Sequence, residues 1–178
     1  MGRQVLPSTT VRLNVYDLTE VNNSLYWCGL GAFHTGIEVY GVEYAFGGHS
    51  YDTSGLFATE PRHPPGDVRF RQSVEMGTIT LSPHEVQSIV ASLSEEYKGS
   101  AYHLLNTNCN HFADDLCFQL TGKHAPGWIN RLAGFATVLE CMLPRSCLPP
   151  LKPPTLDDDD LALMNGAGHG NGTPPSRT

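Results

Sequence analysis

The chain has 178 residues, 40% of them hydrophobic, enough for one compact core, since single domains cluster near about 100 to 150 residues. Eleven Lys and Arg against 18 Asp and Glu leave a formal charge of −7, which argues against nonspecific attraction to nucleic acid or to an anionic membrane surface. Five cysteines (Cys28, Cys109, Cys117, Cys141, Cys147) are an odd number in a chain long enough to fold without staples, so they do not read as a disulfide framework and fit reduced thiols in cytosol or nucleus.

In chain order, Met1 to Thr10 is mixed and polar, with no apolar run behind Arg3, unlike a secretory signal. Val11, Leu13 and Val15 then alternate with Arg12, Asn14 and Tyr16, which predicts a strand buried on one face and ended by Asp17. Residues 35 to 48 alternate again about Tyr40-Gly41 and predict a β-hairpin, with His34 just before its first strand. Ser54 to Asp67 carries three prolines and is expected to be a surface loop, with short strands near 68 to 74 and 77 to 81.

Ser82 and Glu85 have capping-box spacing, Pro83 falls at the first helical position, and Val86, Ile89, Val90, Leu93 and Tyr97 recur at helical spacing. A helix over 83 to 97, stopped by Gly99, follows. Phe112, Ala113, Leu116, Cys117 and Leu120 mark a second helix, with Gly122 past its end, Asn106, Thr107 or Asn108 to cap it, and Cys109 in its first turn. From Trp128 to about Met142 a third helical segment places Ile129, Leu132, Ala133, Ala136 and Leu139 on one side. The longest apolar stretch, Leu132 to Leu143, is broken by Glu140 and falls short of the roughly 20 residues a membrane-spanning helix needs. From Pro144 onward lie seven of the thirteen prolines, the acidic run at 157 to 160 and the alternating glycines of 166 to 172. This composition cannot build a core. The expected organisation is one domain over residues 8 to 147 and a disordered tail over 148 to 178.

A thiol reacts as the thiolate, and the first turn of a helix offers unpaired backbone N–H groups and a positive dipole end that favour the anion. The same groups can face the oxyanion of a tetrahedral intermediate. Cys109 has that position. His34, after a glycine-bearing turn and at the opening of a strand, is the best-placed base on local grounds. His111, two residues from Cys109, points to another helical face and suits a capping or surface role, while His103 suits a bond to a nearby carbonyl. Cys109, His111, Cys117 and His103 fall within 15 residues, but their spacing matches none of the usual zinc patterns. Cys28 is expected to pack beside Trp27, and Cys117 lies on the apolar stripe of the second helix.

The runs HTGIEVYG at 34 to 41, YAFGG at 44 to 48, EYKGSAYHLLNTNCNHFADDL at 96 to 116 and TGKHAPGWINRLA at 121 to 133 resemble the PPPDE family, the permuted papain-fold desumoylating isopeptidases, on the side of its deubiquitinase branch. The resemblance covers roughly residues 10 to 147. It implies an α+β, permuted papain-like fold in which a small antiparallel sheet packs with helices. It also implies a dyad of His34 and Cys109 that hydrolyses isopeptide bonds through an acyl-enzyme, without cofactor or metal, on ubiquitin or SUMO conjugates. No Asp or Asn is singled out to orient His34, and Asn108 and Asn110 are read as caps.

Two other classes compete. Asn108-Cys109-Asn110-His111-Phe112 also resembles the motif of the lecithin-retinol-acyltransferase-like enzymes, which would make the chain a thiol acyl hydrolase or acyltransferase acting on protein thioesters or lipids. A noncatalytic modifier-binding adaptor would keep the fold without using the thiol. The pattern argues for no nucleic acid and no membrane span, leaves the oligomeric state open, and suits a cytoplasmic or nuclear location.

Overall fold

The computed structural model describes residues 8–18, 22, 31–66 and 68–131. Its order is β1 (Thr9–Asp17), β2 (Phe33–Val39), β3 (Val42–Phe46), β4 (Leu56–Thr59), β5 (Arg69–Ile79), α1 (Pro83–Glu96), a 3-10 turn (Gly99–Ala101), α2 (Cys109–Thr121) and a second 3-10 turn (Gly127–Asn130). The strands form one sheet in the order β4-β3-β2-β1-β5, with every neighbouring pair antiparallel. An antiparallel sheet packed with helices is the α+β arrangement expected from the sequence.

One face of the sheet makes the core. Val11, Leu13 and Val15 of β1, Ile37 and Val39 of β2, and Phe46 and Leu56 beyond them join Val86 and Leu93 of α1 and Phe112, Ala113, Leu116 and Cys117 of α2. Each fully buried side chain of this size contributes roughly 1.5–3 kcal/mol, so packing outweighs the intrinsic propensity of two short helices. The local signals hold as well. Ser82 caps α1 with a complete capping box closed by Glu85, and Gly122 ends α2 in the left-handed conformation, at φ 72°.

Several expectations need correction. The stretch expected to be a loop contains β4, because Leu56 and Phe57 are buried as the segment pairs with β3. The two short strands near 70 and 79 are one strand, β5, whose pairing with β1 shifts register at Val11/Arg12 and Val15/Tyr16. The Cα register skips Met76 and Arg71 at those shifts, so the apparent break is a β-bulge rather than a strand end. Strand β1 is buried on both faces, since Asn14 and Tyr16 are as inaccessible as Val11 and Leu13. On that second face the buried Glu43 carboxylate accepts from Asn14 Nδ2 at 2.6 Å, Tyr16 Oη at 2.7 Å and the Arg62 N–H at 3.1 Å, which satisfies a charge that would otherwise be costly to bury.

Most of the expected third helix, the tail after 147, and Cys28, Cys141 and Cys147 lie outside the described residues. Among those described, no helix is long and apolar enough to cross a membrane.

Candidate active site

Residue Cys109 is the first residue of α2, as its spacing from the apolar stripe predicts. Asn108 is the cap: its Oδ1 accepts from the N–H of Asn110 at 3.0 Å and of His111 at 3.2 Å. His111 completes a capping box, with Nδ1 3.3 Å from the Asn108 nitrogen, and its Nε2 lies 3.0 Å from Asn130 Nδ2. The capping role expected of Asn108 and His111 is therefore present. Asn110 does something else. Buried at the start of α2, it accepts from Thr35 Oγ1 at 2.9 Å and donates to the carbonyls of Phe33 at 3.4 Å and Ile129 at 3.1 Å. It braces the helix against β2 and the turn at 127–130.

The way β2 meets α2 follows from the hairpin. Tyr40 and Gly41, both at positive φ (52° and 73°), make a two-residue turn that closes on the pair Val39 and Val42. The N–H and C=O groups of Val39 and Ile37 consequently point at β3, and by strand alternation those of Thr35 and Phe33 point the same way. Pairing with β3, however, stops at Gly36. At Gly47 the chain bonds instead to the Gly55 carbonyl at 2.9 Å. The edge of β2 over residues 33 to 35 is thus left open, and the start of α2 fills it. Cys109 Sγ lies 3.9 Å from the Phe33 carbonyl oxygen, and Thr35 Oγ1 bonds the Cys109 carbonyl at 3.3 Å.

His34 is the second residue of β2 rather than the residue before it. Its ring lies on the sheet face opposite the helical core, stacked on Phe57 at 6.3 Å and 5°, and tilted against Tyr16 at 6.0 Å. It is only 2% exposed. Burial pushes the imidazole down to about 4, so it is neutral at pH 7 and able to accept a proton. Its Nδ1 is buried with no hydrogen-bond partner among the described residues. His34 and Cys109 therefore share one three-residue segment of β2, the thiol resting against the peptide that enters His34, without a hydrogen bond between them.

Burial raises the Cys109 thiol, while the N–H groups of Thr35, Asn110 and Cys109 itself and the Tyr102 hydroxyl oppose that rise. Tyr102 Oη lies 3.9 Å from Sγ. The resting site thus holds a neutral thiol and a neutral imidazole, with one hydroxyl beside the sulfur. Sequence reading passed over Tyr102, Thr35 and the bracing role of Asn110. Only the seven-residue spacing from Tyr102 to Cys109 is local, and it matches no regular repeat. His103 differs from expectation: its exposed Nδ1 accepts from the N–H groups of Leu105 and Asn106, both at 3.3 Å, instead of meeting a carbonyl. Among the described residues no three His, Cys, Asp or Glu side chains converge as a ligand set for a metal.

A family model described as "PPPDE putative peptidase domain" matches residues 9–147. A DeSI-like protein of Arabidopsis thaliana is 53% identical over 138 residues, covering 78% of this chain and 61% of that protein. A Caenorhabditis elegans protein named desumoylating isopeptidase 1 homolog is 44% identical over 149 residues, 80% of this chain and 45% of its own length. The DeSI-like protein sdu1 of Schizosaccharomyces pombe is 40% identical over 141 residues, 75% of this chain and 70% of that protein. The chain therefore spans about half to three fifths of the first two relatives. The matched span contains the five-stranded sheet, both helices and the junction of β2 with α2, and by this match the chain belongs to the PPPDE peptidase family.

Proposed function

We propose that the chain is a cysteine isopeptidase that releases a ubiquitin-type modifier from lysine side chains, with Cys109 as nucleophile and His34 as general base. The observation that carries this reading is the placement of a cysteine at a capped helix start, with the Tyr102 hydroxyl beside its sulfur, seated against the strand segment that bears a neutral histidine. The missing imidazole–thiol bond fits an apo site, where catalytic hydrogen bonds are often long until substrate binds. As His34 takes the Sγ proton, sulfur attacks the isopeptide carbonyl carbon, and the carbonyl π pair moves onto oxygen. Collapse breaks the carbon–nitrogen bond, and the imidazolium returns the proton to the departing lysine amine. Water, deprotonated by His34, then hydrolyses the thioester and restores the thiol.

A modifier's diglycine end is thin and extended, which suits a narrow approach to the sulfur. The names of the relatives favour SUMO as the modifier, and the branch resemblance favours ubiquitin. Cytoplasmic or nuclear activity is part of the same proposal.

The test is reaction of the purified chain with ubiquitin and with SUMO, each bearing a thiol-reactive group at its C-terminus, read by intact mass. Wild type should form one adduct with at least one modifier, and Cys109→Ser should form none. His34→Ala should slow adduct formation by about 10² or more, the scale of a lost general base. Adducts with neither modifier would overturn the substrate class, and an adduct persisting in Cys109→Ser would overturn the nucleophile.

A further inference from the structure

Among the described residues Cys109 Sγ has three polar neighbours, each at 3.9 Å: the Phe33 carbonyl oxygen and Asn110 Oδ1, which can only accept, and the Tyr102 hydroxyl, which can donate. The Asn110 N–H is taken by Asn108 Oδ1 at 3.0 Å. Tyr102 leaves the 3-10 turn at 99–101 with its own N–H bonded to the Gly99 carbonyl at 3.2 Å, and its hydroxyl lies 3.9 Å from Sγ. Its ring is held on two sides, tilted at 43° on Phe46 with centroids 5.1 Å apart, and backed by Gly48, where a Cβ would come within 3.0 Å of Tyr102 Cγ. A ring fixed in this way presents its hydroxyl at little entropic cost when charge develops, which is the condition under which a preorganised donor accelerates a reaction.

We infer that Tyr102 is a catalytic residue whose hydroxyl donates to the negative charge formed at Cys109, first on the thiolate and then on the oxyanion of the tetrahedral intermediate. The inference rests on the isopeptidase reading for the second step and on the sulfur contact alone for the first. When His34 removes the Sγ proton, the hydrogen bond from Tyr102 strengthens as its acceptor becomes anionic. As the carbon–sulfur bond forms, the charge passes to the carbonyl oxygen beside the sulfur, within swing of the same hydroxyl. Tyr102 gives up no proton in either step: burial and the neighbouring sulfur keep its phenol well above the ordinary tyrosine range. The only protons that move are those carried by His34.

Tyr102→Phe removes the hydroxyl and keeps the ring that packs on Phe46 and Gly48. The first readout is the pH profile of Cys109 alkylation by iodoacetamide, followed on the Cys109 peptide by mass so that the other thiols do not interfere. Its midpoint should move to higher pH than in wild type, with alkylation near neutral pH several-fold slower. The second is the rate of adduct formation with the warhead-bearing modifier, expected to fall on the order of 10-fold or more, with the thermal midpoint unchanged. Tyr97→Phe is the control, because that ring also packs on Phe46 but its hydroxyl bonds Asp115 instead of the sulfur. It should leave the Cys109 profile where it is.

A Tyr102→Phe profile superimposable on wild type overturns the inference, and so does an equal shift from Tyr97→Phe, which would mark general loosening. The alkylation readout needs no protein substrate. Should both modifiers fail to react with wild type, the isopeptidase reading falls while the profile still decides whether Tyr102 serves the sulfur.

Discussion

Two cysteines on α2, eight residues apart, are both buried and free, yet their surroundings differ in kind. Cys109 meets the Phe33 carbonyl, the Tyr102 hydroxyl and Asn110 Oδ1. Cys117 packs in the apolar core, with Thr121 Oγ1 3.7 Å from its sulfur. Burial raises both thiols, so burial alone does not separate a nucleophile from a packing residue; the polar partners at Cys109 are what set it apart. Cys117→Ser should therefore leave the rate of modifier adduct formation unchanged. The new hydroxyl keeps Thr121 as a partner, so unfolding in urea should show a loss of no more than about 1–2 kcal/mol. A collapse of adduct formation in Cys117→Ser would mean that the wrong cysteine has been assigned.

At the scale of the element, the start of α2 takes the place of a strand. Strand β3 leaves β2 after Gly36, and the helix cap, through Asn110 and Thr35, occupies the vacated edge. This fixes Cys109 against the sheet. Asn108 is the residue on which that geometry turns, because it caps two N–H groups with its oxygen while its amide donates to the Leu104 carbonyl at 2.6 Å. Asn108→Ala should destabilise the fold by about 1–2 kcal/mol, as lost caps do, measured from the urea midpoint. It should also slow adduct formation as the first turn frays. Asn108→Asp retains the cap acceptor but sets a carboxylate oxygen against the Leu104 carbonyl, so it should recover only part of the stability.

On the scale of the whole molecule, the sheet is buried on both faces around β2, and His34 lies on the face away from the helical core. A histidine held near 4 when folded and near 6.5 when unfolded binds its proton more readily in the unfolded chain. The stability this lends to the fold is complete above about pH 6.5 and is lost as pH falls toward 4, by up to roughly 3 kcal/mol. Urea unfolding of wild type between pH 7 and pH 4 should show that decline, and His34→Ala should flatten it by this amount. An identical slope in the two proteins would place His34 in solvent rather than in the sheet. For the base role proposed for His34 the sign is favourable: the imidazole remains unprotonated throughout the neutral range.

The sequence by itself determined whatever is decided within about four residues. The Ser82–Glu85 capping box set the start of α1, Asn108 and Gly122 bounded α2, and Tyr40-Gly41 turned the hairpin, because capping and turn chemistry act between near neighbours. Cys109 at the head of a helix was legible for that reason. The pairing of His34 with Cys109 came from family resemblance, since nothing local links residues 75 apart. Only the tertiary structure decided that Leu56–Thr59 is a strand, that residues 69 to 79 are one bulged strand, and that Asn14, Tyr16 and Glu43 form a buried polar layer. It likewise brought Thr35 to the Cys109 carbonyl and Tyr102 to its sulfur. These features depend on which distant segment lies alongside, and strand pairing and burial are settled by that partner, not by the segment's own pattern.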